Sequence, residues 1–167
     1  KLASAITALE DGVVTLEDRM PVPCNGGFQY GNRWFTCDGG KGHHGSLTLA
    51  QAIEQSCDVY FYQLGLKLGL ARLVAGGIAI GSGDRSGIDL PNETRPSFPT
   101  KDINQYFNRK YGPHNWNQSF SLSLAIGQGD NAQTVVNMAR FYTAIATDGQ
   151  AAHPQVVRGS AEKDRLF

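Results

Sequence analysis

Three cysteines and a pair of adjacent histidines fall within one stretch of the chain, from Cys24 to Cys57. Twelve residues separate Cys24 from Cys37, and twelve separate His44 from Cys57. Cys24, Cys37, His44 and Cys57 make a Cys3His set, whose soft thiolates and imidazole suit tetrahedral zinc. The short CxxC knuckle is missing, so spacing alone leaves two other readings open. One is a Cys24–Cys37 disulfide with Cys57 buried as a small apolar residue; the other is a set of unliganded thiols. An odd cysteine count disfavours a framework built only of disulfides. His43 or Asp38 could stand in for His44 or Cys37, because adjacent side chains on a loop can exchange roles. The third thiol also lies inside Ser56-Cys57-Asp58. Between two helices, a serine and an aspartate of this kind are ordinarily caps. Lys1, taken by itself, is an ordinary solvated lysine.

The flanking elements decide whether these side chains can meet. Phe28-Gln29-Tyr30 and Arg33-Trp34-Phe35 flank Gly31-Asn32, a two-residue turn with glycine first, which predicts a type II′ hairpin. Folding about that turn pairs Tyr30 with Arg33 and carries Cys24 back towards Cys37. The loop Asp38-Gly39-Gly40-Lys41-Gly42 then delivers His43 and His44. Thr48-Leu49-Ala50-Gln51 has the form of a capping box and opens a short helix ending near Ser56. A second helix, apolar on most sides, is predicted from Val59 to about Val74, with Asp58 at its N-terminus, where a carboxylate is favoured and can cap. Gly76-Gly77 should end it.

Elsewhere, Leu2, Ile6 and Leu9 recur at helical spacing and predict a first helix with one buried face, stopped at Asp11-Gly12. Residues 78–91 read as a glycine-rich connection with a strand-like finish. Residues 92–117 read as a long polar loop, of the kind that is usually functional or mobile. Ser121 to Ile126 alternates and then breaks at Gly127-Gln128-Gly129, as at a strand end. Thr134 caps a helix whose Val135, Met138, Tyr142 and Ile145 form one stripe, and Pro154 to Arg158 looks like the start of a strand. Gly81-x-Gly83 and Gly127-x-Gly129 lack the spacing of a phosphate loop. His114 reads as a surface-loop histidine, and no carboxylate pair suggests a glycosidase.

The chain has 167 residues, enough for one domain or one large piece of a domain. Fifteen basic and fifteen acidic residues balance, which argues against a nucleic-acid partner. No apolar run reaches the roughly 18 residues of a membrane span. Lys1 enters directly into a helical pattern with no cap before it, as in a piece cut from a longer chain.

Four blocks, in order, resemble the transpeptidase domain of class B penicillin-binding proteins of the penicillin-binding protein 2 type. Lys1 to Gly12 resembles the helix that carries the family's Ser-x-x-Lys, beginning at its lysine. Ala52 to Leu64, containing Ser56-Cys57-Asp58, resembles the Ser-x-Asn block and its following helix. Gly87-Ile88-Asp89-Leu90-Pro91 resembles the family's Thr-Gly-Ile-Asp-Leu-Pro connection, with Ser86 in place of the threonine. Ala125 to Gly129 and the helix to Gly149 resemble the block that precedes the Lys-Thr-Gly strand.

The resemblance implies an α+β fold of the penicillin-binding protein and serine β-lactamase type, mainly its helical part, with a small zinc-binding β-hairpin at about 22–46. It implies that residues 1–167 are a partial transpeptidase domain, incomplete at both ends. The parent enzyme would crosslink peptidoglycan stem peptides through a serine acyl-enzyme during cell-wall elongation, and would bind β-lactams. Lys1 would be the base-side lysine, Ser56 the proton relay, and Asp58 the group orienting substrate. The serine expected three residues before Lys1 and the Lys-Thr-Gly strand lie outside this sequence, and Asp58 replaces an asparagine. Some family members are similar in holding zinc with Asp, His and Cys ligands at this place, which fits Cys57, His44 and Asp38. The implied setting is the extracytoplasmic face of a bacterial inner membrane, beside a membrane glycosyltransferase. A zinc-stabilised non-catalytic module, a D,D-carboxypeptidase and a β-lactamase are the competing readings.

Overall fold

The computed structural model describes residues 1–159 and 163–167. Its centre is a helix, here α3 (Asp58–Leu68), in which Val59 to Gly65 and Leu68 are all buried. So long a run of buried positions leaves almost no solvent face, and the other elements are arranged around it. Gly65 shows how close they come: a Cβ there would lie 2.7 Å from the Ser121 carbonyl oxygen and from Ala125 Cβ.

The elements in chain order are α1 (Leu2–Glu10), the hairpin β1 (Gly27–Tyr30) and β2 (Arg33–Thr36), and α2 (Leu49–Glu54). After α3 come α4 (Leu70–Ala79), α5 (Ile103–Tyr111), α6 (Phe120–Ala125), α7 (Val135–Ala146), β3 (Gln150–Ala152) and β4 (Lys163–Arg165). The two sheets are separate two-stranded antiparallel pairs. In the first, Tyr30 faces Arg33 and Phe28 faces Phe35, the register expected from Gly31-Asn32. Gly31 has φ 57°, a sign that glycine carries at no steric cost. The α+β architecture agrees with the sequence. Among the described residues no helix is long and apolar enough to cross a membrane.

Several elements differ from the sequence reading. The long helix predicted from Val59 to Val74 is two helices, because Gly69 takes φ 78° and turns the chain between α3 and α4. Gly76-Gly77 does not end α4, which runs on to Ala79. Those glycines are a packing surface instead: a Cβ on Gly76 would come within 2.0 Å of Thr7 Oγ1. The same contact explains α1, whose buried face is Ser4, Ala5, Thr7 and Ala8, while Leu9 is exposed. Small residues on both helices let the backbones approach, and Ser4 Oγ donates to the Ala125 carbonyl at 2.8 Å.

Residues 92–117 contain α5, started by Asp102, whose carboxylate accepts from Gln105 N at 2.8 Å. Phe107, 1% exposed, is its one buried residue, and the rings of Tyr106, Tyr111, Trp116 and Phe120 surround it at centroid distances of 5.1–5.9 Å. Ser121 to Ala125 is helical, not extended. Its buried Ser121, Leu122, Leu124 and Ala125 satisfy a helical spacing as well as an alternating one. The strand expected at Pro154 to Arg158 lies earlier, at β3. The Val156 and Val157 amides instead donate to the Asp89 carboxylate at 2.6 and 3.0 Å. Residues 78–91 form no strand. In α7 the Thr134 cap is present, but the predicted apolar stripe faces outward, with Val135 86% exposed.

Candidate functional site

Ser56 lies between α2 and α3 in the left-handed region, with φ 53°. A non-glycine residue held there costs about 1–3 kcal/mol of local strain, which the surrounding contacts must offset. The turn is fixed by amide bonds from Ser56 N to Ile53 O and from Cys57 N to Ala52 O, at 3.2 and 2.9 Å. Its effect is to split the tripeptide: the Ser56 side faces solvent while Cys57, 1% exposed, turns into the interior.

On the outer side stands Lys1, brought from the start of α1. Its ammonium donates to Ser56 Oγ at 2.8 Å and to the Ser56 carbonyl at 3.0 Å. It also pairs with Asp58 Oδ1 at 2.6 Å. Three donors thus meet three acceptors, and an amine, a hydroxyl and a carboxylate share one point. Asp58 does not cap α3, as the sequence had allowed; Cys57 holds the N-cap position without a side-chain bond. Asp58 is the first helical residue, where the helix dipole favours its charge. Gly127 sits beside the same point, where a Cβ would lie 3.9 Å from the Lys1 backbone nitrogen. A cleft of about 350 Å³ opens on the far side of Lys1, with Leu73, Phe98, Ile126, Met138 and Tyr142 among its walls. Ser56 and Asp58 do not line it.

On the inner side, Cys24, Cys37, His44 and Cys57 converge, with all four donor atoms within 4.8 Å of one another. His44 Nδ1 lies 3.5 Å from Cys24 Sγ and 3.6 Å from Cys37 Sγ. Tetrahedral zinc, with bonds of about 2.3 Å to sulfur and about 2.0 Å to nitrogen, needs donors ~3.5–3.8 Å apart. The set therefore fits a metal ion in kind and number, and the His44 distances to the Cys24 and Cys37 sulfurs have the required spacing. All three cysteines are free, so the Cys24–Cys37 disulfide is not present. The two alternates lie apart from the cluster: His43 Nδ1 meets Asn25 Oδ1 at 2.8 Å, and Asp38 is exposed at φ 49°.

Burial pushes the Cys37 thiol above its ordinary value and pushes Cys57 up to about 12. Buried thiols keep their protons unless a cation is present, and a bound dication supplies that charge. The Asp58 amide donates to Cys37 Sγ at 3.2 Å, so the amide next to the Ser56 turn is tied to one of the clustered sulfurs. Gly42 is needed for clearance, since a Cβ there would lie 2.9 Å from Cys37 Sγ and 2.8 Å from the His44 ring.

Three residues that the sequence reading passed over hold the two sides together. Gln63 clamps the chain ahead of Cys24, accepting from Val22 N at 2.9 Å and donating to Val22 O at 2.8 Å. Tyr62 donates to Thr36 O at 2.9 Å and Tyr60 to Asp18 O at 2.8 Å. Polar-tipped side chains on a helix that is otherwise apolar all round were the signal, since buried polar groups find partners.

The profile of the penicillin binding protein transpeptidase domain matches residues 1–165. The peptidoglycan D,D-transpeptidase MrdA of Escherichia coli (strain K12) is 30% identical over 159 residues, which is 95% of this chain and 24% of that protein. The chain thus spans about a quarter of that relative's length. Penicillin-binding protein 2 of Helicobacter pylori, solved in complex with MreC, superposes on the whole chain with a TM-score of 0.86 at 27% identity, over 30% of its own length. Pseudomonas aeruginosa PBP2, in complex with WCK 5153, covers 92% of this chain and 32% of its own, with a TM-score of 0.78 and 29% identity. A profile that runs almost end to end, together with a backbone that follows these enzymes throughout, places the chain in the penicillin-binding protein transpeptidase family.

Proposed function

We propose that this chain is the part of a peptidoglycan D,D-transpeptidase of the penicillin-binding protein 2 type that holds the proton-handling side of the active site. The observation that carries it is the meeting of Lys1 Nζ with Ser56 Oγ and Asp58 Oδ1 at 2.8 and 2.6 Å. Lys1 Nζ, acting as the base in this reading, accepts the proton of an attacking serine hydroxyl supplied by the parent protein. Ser56, within hydrogen-bond reach, passes that proton to the D-alanine nitrogen that leaves a stem peptide. Asp58 receives the ammonium formed in between and holds it in line. Water or the amine of a second stem peptide then attacks the acyl ester, and the same relay runs in reverse.

The substrate is the D-Ala-D-Ala end of a peptidoglycan stem peptide, and β-lactams acylate the same serine. Cys24, Cys37, His44 and Cys57 hold zinc in this reading. The ion supplies a structural cross-link and the positive charge that keeps the three sulfurs ionised. Residues 22–46 form the zinc hairpin, and residues 1–167 are part of a larger transpeptidase domain. The parent stands on the extracytoplasmic face of a bacterial inner membrane beside a membrane glycosyltransferase. An MreC-like protein is a further partner, by analogy with the Helicobacter pylori complex.

The test is acylation of the full-length protein by a labelled penicillin. Ser56→Ala should lower the acylation rate by about 100-fold or more, the usual weight of a positioned proton carrier, with far-UV circular dichroism unchanged. Acylation at the unaltered rate would overturn the assignment.

A further inference from the structure

Between one face of α5 and the turn that follows it lies a cavity of about 340 Å³, lined by Asn104, Asn108, Pro113, His114 and Trp116. That volume is at the small end of the range for ligand clefts. The Trp116 ring is locked in place. Its indole N–H donates to Asn108 Oδ1 at 2.7 Å, and it stacks on the buried Phe107 ring at 5.2 Å and 28°. Trp116 lines the cavity, while Phe107, on which it stacks, does not.

Asn104 and Asn108, four residues apart on α5, present two amides along the same face. Both are exposed. Among the described residues, the Asn104 amide and Asn108 Nδ2 make no hydrogen bond to the protein, so donors and an acceptor remain for a ligand. Opposite them, His114 is held at φ 66° in a turn braced by Asn115 Nδ2, which donates to the Tyr111 carbonyl at 2.9 Å. No Asp, Glu, Lys or Arg lines the space.

A rigid aromatic ring, amides with open hydrogen-bonding groups and no charge suit a neutral ligand with an apolar face and a rim of hydroxyl and amide groups. We infer that this cavity binds a saccharide, with the C–H face of a sugar ring on Trp116 and its hydroxyl or acetamide groups on Asn104, Asn108 and His114. The choice of an N-acetylated amino sugar, as in a peptidoglycan strand, rests on the transpeptidase reading; recognition of a neutral sugar does not.

The probe is the β-1,4-linked tetramer of N-acetylglucosamine, titrated into the whole chain and followed by tryptophan fluorescence. Trp34 and Trp116 are the chain's two tryptophans, so the variants separate them. A saturable change should persist in Trp34→Phe and vanish in Trp116→Phe, which keeps an aromatic ring on Phe107. Asn104→Ala, at an exposed helical site that does not threaten the fold, should weaken binding by about 2- to 10-fold, the worth of one hydrogen bond. No saturable change, or the same change in Trp116→Phe, overturns the site. An equal response to the glucose tetramer, which has no acetamide, overturns the amino-sugar assignment. Labelled penicillin carries no sugar, so Asn104→Ala leaves penicillin acylation of the full-length protein unchanged, and failure of either reading shows in its own assay.

Discussion

Two neighbouring regions pack on α3 and are held by different forces. On one side, the hairpin and its following loop bury little apolar surface of their own, and three thiols and an imidazole gather at their base. On the other, α5 and α6 enclose Phe107 within four aromatic rings and add the Asp130 carboxylate, which accepts from Tyr111 at 2.8 Å and from Lys110. The first is a cluster of soft donor atoms; the second is a small core. Both press on the same helix and they meet where Phe35 of the hairpin clusters with Leu122 of α6, yet the nest, with a core of its own, should outlast a loosened hairpin.

Metal removal is the strongest way to separate them, because structural zinc sites can supply on the order of 10 kcal/mol of folding free energy. With a chelator, the hairpin amides of Gly26, Cys37 and Gly45, each bonded across the loop at 2.9–3.0 Å, should exchange with solvent faster by on the order of 100-fold or more. The amides of α5 should keep their protection. Equal exchange in both regions would mean that the sulfurs pack as ordinary apolar groups, and the contrast would collapse.

Phe107→Ala probes the other side. Truncating a fully buried phenylalanine costs about 3–5 kcal/mol, read as a lower denaturant midpoint, and this loss should be the same with and without chelator. A loss that grows when metal is stripped would show that the aromatic nest also supports the hairpin, through α6 and α3.

The two regions also differ in how much of them the sequence disclosed. The hairpin follows from two local facts: a glycine-first turn, and cysteines placed symmetrically enough about it to meet. Its register therefore came from Gly31-Asn32 alone. The aromatic nest has no such signature. Phe107 is the one buried residue of α5, its ring partners are scattered among prolines and amides, and a helix with one buried position has no apolar stripe to read. Periodicity was right at α7 that Val135, Met138, Tyr142 and Ile145 share a face, but that face is open. Spacing shows which residues point together, never whether anything covers them. The Ser56 turn lies between these cases. The tripeptide was visible, but its φ of 53° and the arrival of Lys1 from 55 positions away are tertiary facts.

The smallest effect tests whether burial alone holds the nest. The Asp130 hydrogen bond raises Lys110 to about 12, from an unfolded value of about 10.4. The fold thus favours the protonated amine. Its contribution is complete below about pH 10.4 and fades as the pH climbs through about 12. Because the Lys110 side chain is 45% exposed, solvent screens the pair and its worth is at most about 1 kcal/mol. Lys110→Gln should therefore lower the urea midpoint slightly at neutral pH, and the gap from the parent chain should close as pH 12 is approached. A gap that stays constant to high pH would assign the effect to the lysine stem packed over Tyr106 and Tyr111, where the ammonium lies 5.7 and 5.6 Å from the ring centroids. The aromatic side of α3 would then owe its order to contact alone, in contrast to the cation dependence expected of the sulfur side.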